Sequence, residues 1–174
     1  MPKEALLIID MLNDFVLKGA PLEVPEARKV IPKIKKEIQR AHRNKYPVLY
    51  LCDSHMPDDV EFRKFGWPVH AVRGTSGAEV IRELKPGKKD VIITKKTYSG
   101  FYQSKLQSVL KKKRIHSLRL TGCVTHICVL FTAADAVLRD YAVSVVQDGV
   151  AGIASKDHNA ALRIMKNVLG AKLI

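Results

Sequence analysis

Cys52, Cys123 and Cys128 are the only thiols in a chain of 174 residues. Their number is odd and no pair has C-x-x-C spacing, so neither a disulfide framework nor a zinc knuckle is suggested, and at least one thiol is free. Two of them lie in "LRLTGCVTHICVLFTAADA" (118–136), where a run of alternating Leu and polar residues passes through a glycine into a stretch rich in Ala and Leu. A free thiol becomes a nucleophile when a base takes its proton and a nearby positive group favours the thiolate. Suitable groups stand where other short apolar runs end: Asp10 after "ALLII", Asp53 after "VLYLC" and Lys95 after "VIIT". Asp10 would serve as the base, and Lys95 would hold that carboxylate and stabilise developing negative charge.

Between the two neighbouring thiols, Cys128 is the better nucleophile. With the strand stopping at Gly122 and Thr125 capping the next helix, Cys128 falls in the first turn, where unpaired N–H groups favour a thiolate. Cys123, tight against the strand end, packs inside. Composition alone equally allows two small buried thiols and a structural ion pair. A second constellation is "CDSHMPDDVEF" (52–62), which gives Asp53-x-His55, with His70 fifteen residues further on. Three oxygen and nitrogen ligands with open positions suit a catalytic metal, and imidazole suits zinc or iron.

These side chains need elements that bring them together. Strands are expected at 5–9, 48–52, 91–94, 117–121, 143–147 and 171–174, nearly continuous in Leu, Ile and Val and so buried on both faces. Helices are expected at about 26–44, 77–85, 102–113, 126–140 and 156–169, with Pro32 separating a short turn from a longer helix. Repeated β-α units predict an α/β fold, a doubly wound parallel sheet with helices on both faces, in one domain over 1–174. The carboxyl ends of such strands share one edge, and ligands bind in the crevice outside it.

Lys and Arg number 30 against 17 Asp and Glu, a formal charge of +13. The cations fall at helix-like spacing (Lys29, Lys33, Lys36, Arg40, Arg43) or in the 111–114 run at a helix end, which reads as a solvated, heat-adapted surface. Aromatics make up 6% of the chain and do not interleave with the basic runs, so no nucleic-acid partner is expected. No apolar run is long enough for a membrane span, and the start of the chain is unlike a signal peptide, so no membrane partner and a cytoplasmic location are expected.

"LLIIDMLNDF", "WPVHAVRGTSGAEVI", "KKTYSGF" and "TGCVTHICVLFTAADA" occur in an order and spacing that resemble the isochorismatase-like cysteine hydrolases. That superfamily includes nicotinamidases, N-carbamoylsarcosine amidase and ureidoacrylate amidohydrolases. The resemblance implies a three-layer α/β/α fold on a six-stranded parallel sheet and a triad of Asp10, Lys95 and Cys128. Lys95 is preferred to Lys96 because the family lysine stands three positions before the Tyr of the Tyr-Ser-Gly-Phe signature, here Tyr98. The resemblance further implies a cis peptide at Cys123-Val124 and an oxyanion hole from the Val124 and Cys128 N–H groups. It implies one divalent ion, zinc or iron, on Asp53, His55 and His70, no organic cofactor, and a homo-oligomer. Phe15, Trp67 and Tyr98 stand where relatives build the substrate pocket. The activity implied is hydrolysis of the C–N bond in a small amide, nicotinamide-like, through a thioester. N-carbamoyl or ureido compounds, an isochorismatase-type vinyl-ether hydrolysis and a noncatalytic basic interaction protein are the alternatives. Ser54, Leu12 and His126 depart from the usual nicotinamidase pattern.

Overall fold

The computed structural model describes residues 3–174. Six strands, β1 (Glu4–Ile9), β2 (Val48–Asp53), β3 (Val91–Lys95), β4 (Ser117–Cys123), β5 (Ala142–Ala151) and β6 (Lys172–Leu173), form one parallel sheet in the order β3-β2-β1-β4-β5-β6. The sheet is the one the alternating pattern predicts. β1 lies near its middle, and residues Ala5 to Ile9 are at most 1% exposed. Side chains alternate along a strand, so the two faces of β1 feed two cores. Leu6 and Ile8 pack with Ala27, Val30 and Ile34 of helix α2 (Ala27–Arg43), while Leu7 and Ile9 share a core with α4 (Leu106–Lys112), α5 (Leu130–Val137) and α6 (Ser155–Asn167). The order reverses between β1 and β4, which is where an open parallel sheet leaves a crevice at its carboxyl edge.

Several expectations need correction. The segment 77–85 is not a helix but two 3₁₀ turns, Ser76–Ala78 and Arg82–Leu84, because Ile81 and Leu84 are its only fully buried apolar anchors and support no amphipathic stripe. Pro32 lies inside α2 without breaking it. It is on the exposed face of the helix, near its first turns, where a missing amide donor costs least. The helix near 102–113 begins only at Leu106. The strands are not all buried on both faces: β3 is an edge, with Ile92 56% exposed, and β6 is a two-residue edge. A short helix α3 (Val60–Phe65), capped by the Asp59 carboxylate on the Glu61 N–H, was not expected. The remaining helix, α1 (Asn13–Val16), is a single turn after β1. Among the described residues, no helix is long and apolar enough to cross a membrane.

Candidate active site

Each of β1 to β4 delivers a functional group as it reaches the carboxyl edge. β1 hands over to Asp10, whose backbone is left-handed at φ 49°, a conformation L side chains rarely adopt and which concentrates at functional sites. β2 and β3 end side by side, so Asp53 and Lys95 are register partners. β4 can end against β1 only because residue 122 is glycine: it has φ 108°, and a Cβ there would sit 2.0 Å from the Ile9 carbonyl oxygen. The Cys123–Val124 peptide is cis, and a single π-helical turn, Thr125–Val129, then carries Cys128 into α5. Thr125 does not cap that turn. Its hydroxyl is engaged 2.9 Å away by His158 Nδ1 from α6.

Lys95 is the hub. Its Nζ, in a fully buried side chain, lies 2.8 Å from Asp10 Oδ2 and 2.6 Å from Asp53 Oδ1. It also donates to the Thr97 carbonyl at 3.0 Å and reaches Cys128 Sγ at 3.5 Å. Burial opposes the ammonium, but the charges of Asp10 and Asp53 outweigh it and hold the Lys95 pKa well above the ordinary lysine value. Asp10 Oδ1 accepts the Asp53 N–H at 2.9 Å. Its Oδ2 is engaged by the 2.8 Å ion pair with Lys95 and accepts no further hydrogen bond. Burial first, and the Asp53 charge second, raise the Asp10 carboxyl to about 6 against the pull of Lys95. Burial also pushes the Cys128 thiol well above the ordinary cysteine value. Both shifts favour the proton-bearing forms, and the Asp10 carboxyl and the Cys128 sulfur lie within 4.8 Å of each other, close enough to exchange a proton. Cys123 is fully buried and donates its S–H to the Asp10 carbonyl at 3.2 Å.

Asp53, His55 and His70 offer ligand atoms within 4.8 Å of one another, all buried. Asp53 Oδ2 is 3.8 Å from His55 Nε2 and 3.9 Å from His70 Nε2. His55 donates from Nδ1 to Asp59 Oδ2 at 3.1 Å, and His70 from Nδ1 to the Pro68 carbonyl at 2.7 Å. Those bonds leave both Nε2 lone pairs turned inward, and His55 Nε2 is a buried atom with no partner at all. An orphaned imidazole nitrogen facing a carboxylate and a second imidazole, each ring fixed from behind, is a donor set that fits a divalent ion. Asp14 supports it from α1 by accepting the Ala71 N–H at 2.8 Å, beside His70.

Above the sulfur is a small pocket lined by Phe15, Leu22, Val24, Trp67, Tyr98 and Val124, with Ile127 and Ile153 at its side and Asp53, His70 and Cys128 at its floor. Trp67 Nε1 donates to the Tyr98 hydroxyl at 3.0 Å, which joins two of its walls. Of the residues expected from the sequence, Phe15, Asp53, Trp67, His70, Tyr98, Val124 and Cys128 line this pocket, and Asp10, His55 and Lys95 reach it through Asp53. Sequence reasoning missed Glu61, a buried acid on α3 that also lines the pocket, along with Asp14 and Asp59. The N-cap spacing of Asp59 to Glu61 was the available signal for α3.

The isochorismatase domain family matches residues 4–174. A pyrazinamidase of Pyrococcus horikoshii, solved in complex with zinc, superposes with a TM-score of 0.92 at 34% identity, covering 99% of each chain. An N-carbamoylsarcosine amidase from Thermoplasma acidophilum gives a TM-score of 0.87 at 38% identity, covering 98% of this chain and 95% of that one. An uncharacterized isochorismatase family protein of Bacillus subtilis, YaaI, is 29% identical over 170 residues, spanning 98% of this chain and 92% of its own. A sheet that ends in these side chains, matched over nearly its whole length, belongs to the isochorismatase family of hydrolases.

Proposed function

We propose that this chain is a cysteine amidohydrolase that cleaves the C–N bond of a small, uncharged amide, of which nicotinamide is the type, and releases ammonia. One observation carries the reading: Cys128 Sγ stands 3.5 Å from a lysine that is itself held by Asp10, at the floor of an apolar pocket. Asp10 Oδ2 takes the thiol proton as Sγ attacks the amide carbonyl carbon, and Lys95 remains protonated beside the developing charge. The Val124 and Cys128 N–H groups receive the oxyanion. Asp10 returns the proton to the departing nitrogen, ammonia leaves, and a water activated by Asp10 cleaves the thioester to the acid. Asp53, His55 and His70 would hold a divalent ion, zinc or iron, whose positive charge orients and polarises a bound group or water. Phe15, Trp67 and Tyr98 hold the flat body of the substrate.

The pocket wall, which includes the Glu61 carboxyl, argues against an anionic substrate. None of its residues is an arginine or a free lysine, and the Lys95 ammonium is already shared by Asp10 and Asp53. A carboxylate held against Phe15 and Val24 would be desolvated with no cation to meet it. The 38% identity with the N-carbamoylsarcosine amidase favours a second reading, a carbamoyl substrate cleaved by the same chemistry. Ammonia release from nicotinamide and pyrazinamide, set against N-carbamoylsarcosine and ureidoacrylate with zinc or iron supplied, separates the two. Preference for the uncharged amides is the expected result; turnover confined to the carboxylate-bearing compounds would replace it with the second reading, and no ammonia from any of them would remove both.

A further inference from the structure

The mechanism leaves the end of the cysteine-bearing segment, "FTAADA" (131–136), without a task. In the structure its helix grips the loop that follows Lys95. The Ser99 hydroxyl donates to Asp135 Oδ2, and the Gly100 N–H donates to Thr132 Oγ1 at 2.9 Å. Ser99 Oγ in turn accepts the Phe101 N–H at 3.1 Å. Phe131, one residue before Thr132, packs its ring 5.4 Å from that of Tyr98. Asp135 is anchored from behind by Arg139, which contacts its Oδ1, donates to its carbonyl at 3.0 Å and lies 5.1 Å above the Phe101 ring. The loop packs closely at Gly100, where a Cβ would come within 2.4 Å of the Leu51 side-chain methyl and force it to move.

The gripped loop carries two parts of the site. Thr97 supplies the carbonyl that accepts from Lys95 Nζ, and Tyr98 forms a pocket wall and receives the Trp67 N–H. The gripping helix is the continuation of the turn that bears Cys128. We propose that Asp135 is a positioning residue: acting through Ser99, it fixes the loop behind Lys95 to the helix behind Cys128 and so sets the spacing between ammonium and sulfur. Asp135 touches no reacting atom. Its task follows from geometry, since a misplacement of about 1 Å at a reacting centre costs up to roughly 100-fold in rate.

This inference rests on the amidase reading of Cys128, and the test separates the two. Ser99→Ala, Asp135→Ala, Asp135→Asn and the Ser99→Ala/Asp135→Ala double variant are compared with the parent chain for kcat and KM on its best amide. The rate of Cys128 alkylation by iodoacetamide, read by peptide mass, is measured in parallel and needs no substrate. Expected are falls in kcat of about 10- to 100-fold for Ser99→Ala and Asp135→Ala, with KM within about threefold. The double variant should be no slower than the slower single one, because the two residues act in series. Asp135→Asn, which keeps an acceptor for Ser99, should recover most of the loss, and alkylation should change in the same order. Variants with lowered melting temperature but parental kcat and parental alkylation below that temperature would overturn the proposal, as would losses that multiply in the double variant. Absence of turnover by the parent chain would instead strike the amidase reading and leave alkylation to decide the positioning.

Discussion

Two buried ion clusters in this molecule are near mirror images in charge. At the carboxyl edge one cation, Lys95, stands between two carboxylates, Asp10 and Asp53. On the α2 side of the sheet one carboxylate, Glu37, stands between two guanidiniums, Arg40 and Arg119, with Glu4 beyond Arg40 and the Lys33 ammonium, itself paired with Asp148, 3.9 Å from Glu37 Oε1. In the Glu37 cluster the bonding is complete. Oε2 accepts from Arg40 Nε at 3.0 Å and Arg119 Nε at 2.7 Å, and Oε1 accepts from Arg119 Nη2 at 3.1 Å. The Lys95 cluster and its surroundings are less complete: among the described residues the buried side-chain atoms that make no hydrogen bond are Asp10 Oδ2, held only by its ion pair with Lys95, His55 Nε2 and His126 Nδ1, all at the carboxyl edge. The titrations diverge too. Burial would raise Glu37, yet Arg119 and Arg40 hold it below its ordinary value, whereas Asp10 is lifted to about 6. A charge network that only stabilises closes on itself; one that does chemistry keeps acceptors open for a proton or an ion.

The sharpest way to break the comparison is to remove groups from the open cluster. Cys128→Ala should abolish amide turnover, and Asp10→Asn should lower kcat by about 10²- to 10⁴-fold, the usual share of a general base, with the circular dichroism spectrum unchanged. Next in size, His55→Ala or His70→Ala should eliminate tight binding of zinc in a titration of metal-free protein. Asp59→Asn, which disturbs only the support behind His55, should weaken binding by about 10- to 100-fold.

The closed cluster should respond in stability alone. Glu37→Gln is expected to cost about 1–2 kcal/mol at neutral pH, a buried-pair loss discounted for partial solvation, and to leave kcat unchanged. That corresponds to a fall in melting temperature of roughly 2–4 °C per kcal/mol. The sign with pH follows from its lowered pKa. The carboxylate contributes above the unfolded value of 4.5 and loses its contribution as pH falls through the lower folded value, so parent and variant should converge in acid. The smallest expected effect is that of Trp67→Phe, which removes the bond to the Tyr98 hydroxyl and should raise KM by a few-fold at constant kcat.

Much of the open cluster was legible because its members stand where apolar strands stop, and a parallel sheet gathers those stops at one edge. Asp10, Asp53, His55, Lys95 and Cys128 could be placed from that rule and His70 from its spacing, and the family motifs then favoured Lys95 over Lys96. The stretch from 54 to 90 was harder to read. Its residues are held by single contacts, such as Asp14 on the Ala71 N–H and the antiparallel bridge of Leu12 with Val80, rather than by a periodic apolar face. Glu61 and Asp59 were hidden for that reason. Glu37 was invisible for another: its partner Arg119 is 82 residues away, and no local pattern marks an acid that meets a guanidinium across two layers. Thr125 looked like a helix cap, but its hydroxyl is claimed from α6, a tertiary choice that sequence spacing does not encode.

The central claim is that Cys128, unlike the equally buried Cys52 and Cys123, forms a covalent bond with the substrate acyl group. Acid quenching during turnover, followed by peptide mass mapping, tests it directly. The expected result is the acyl mass placed on Cys128 by fragment-ion sequencing of the peptide it shares with Cys123, and absent from Cys52, from Cys123 and from Asp10→Asn protein quenched at the same early time. Steady turnover with no acyl adduct on Cys128, and undiminished turnover in Cys128→Ala, would contradict it.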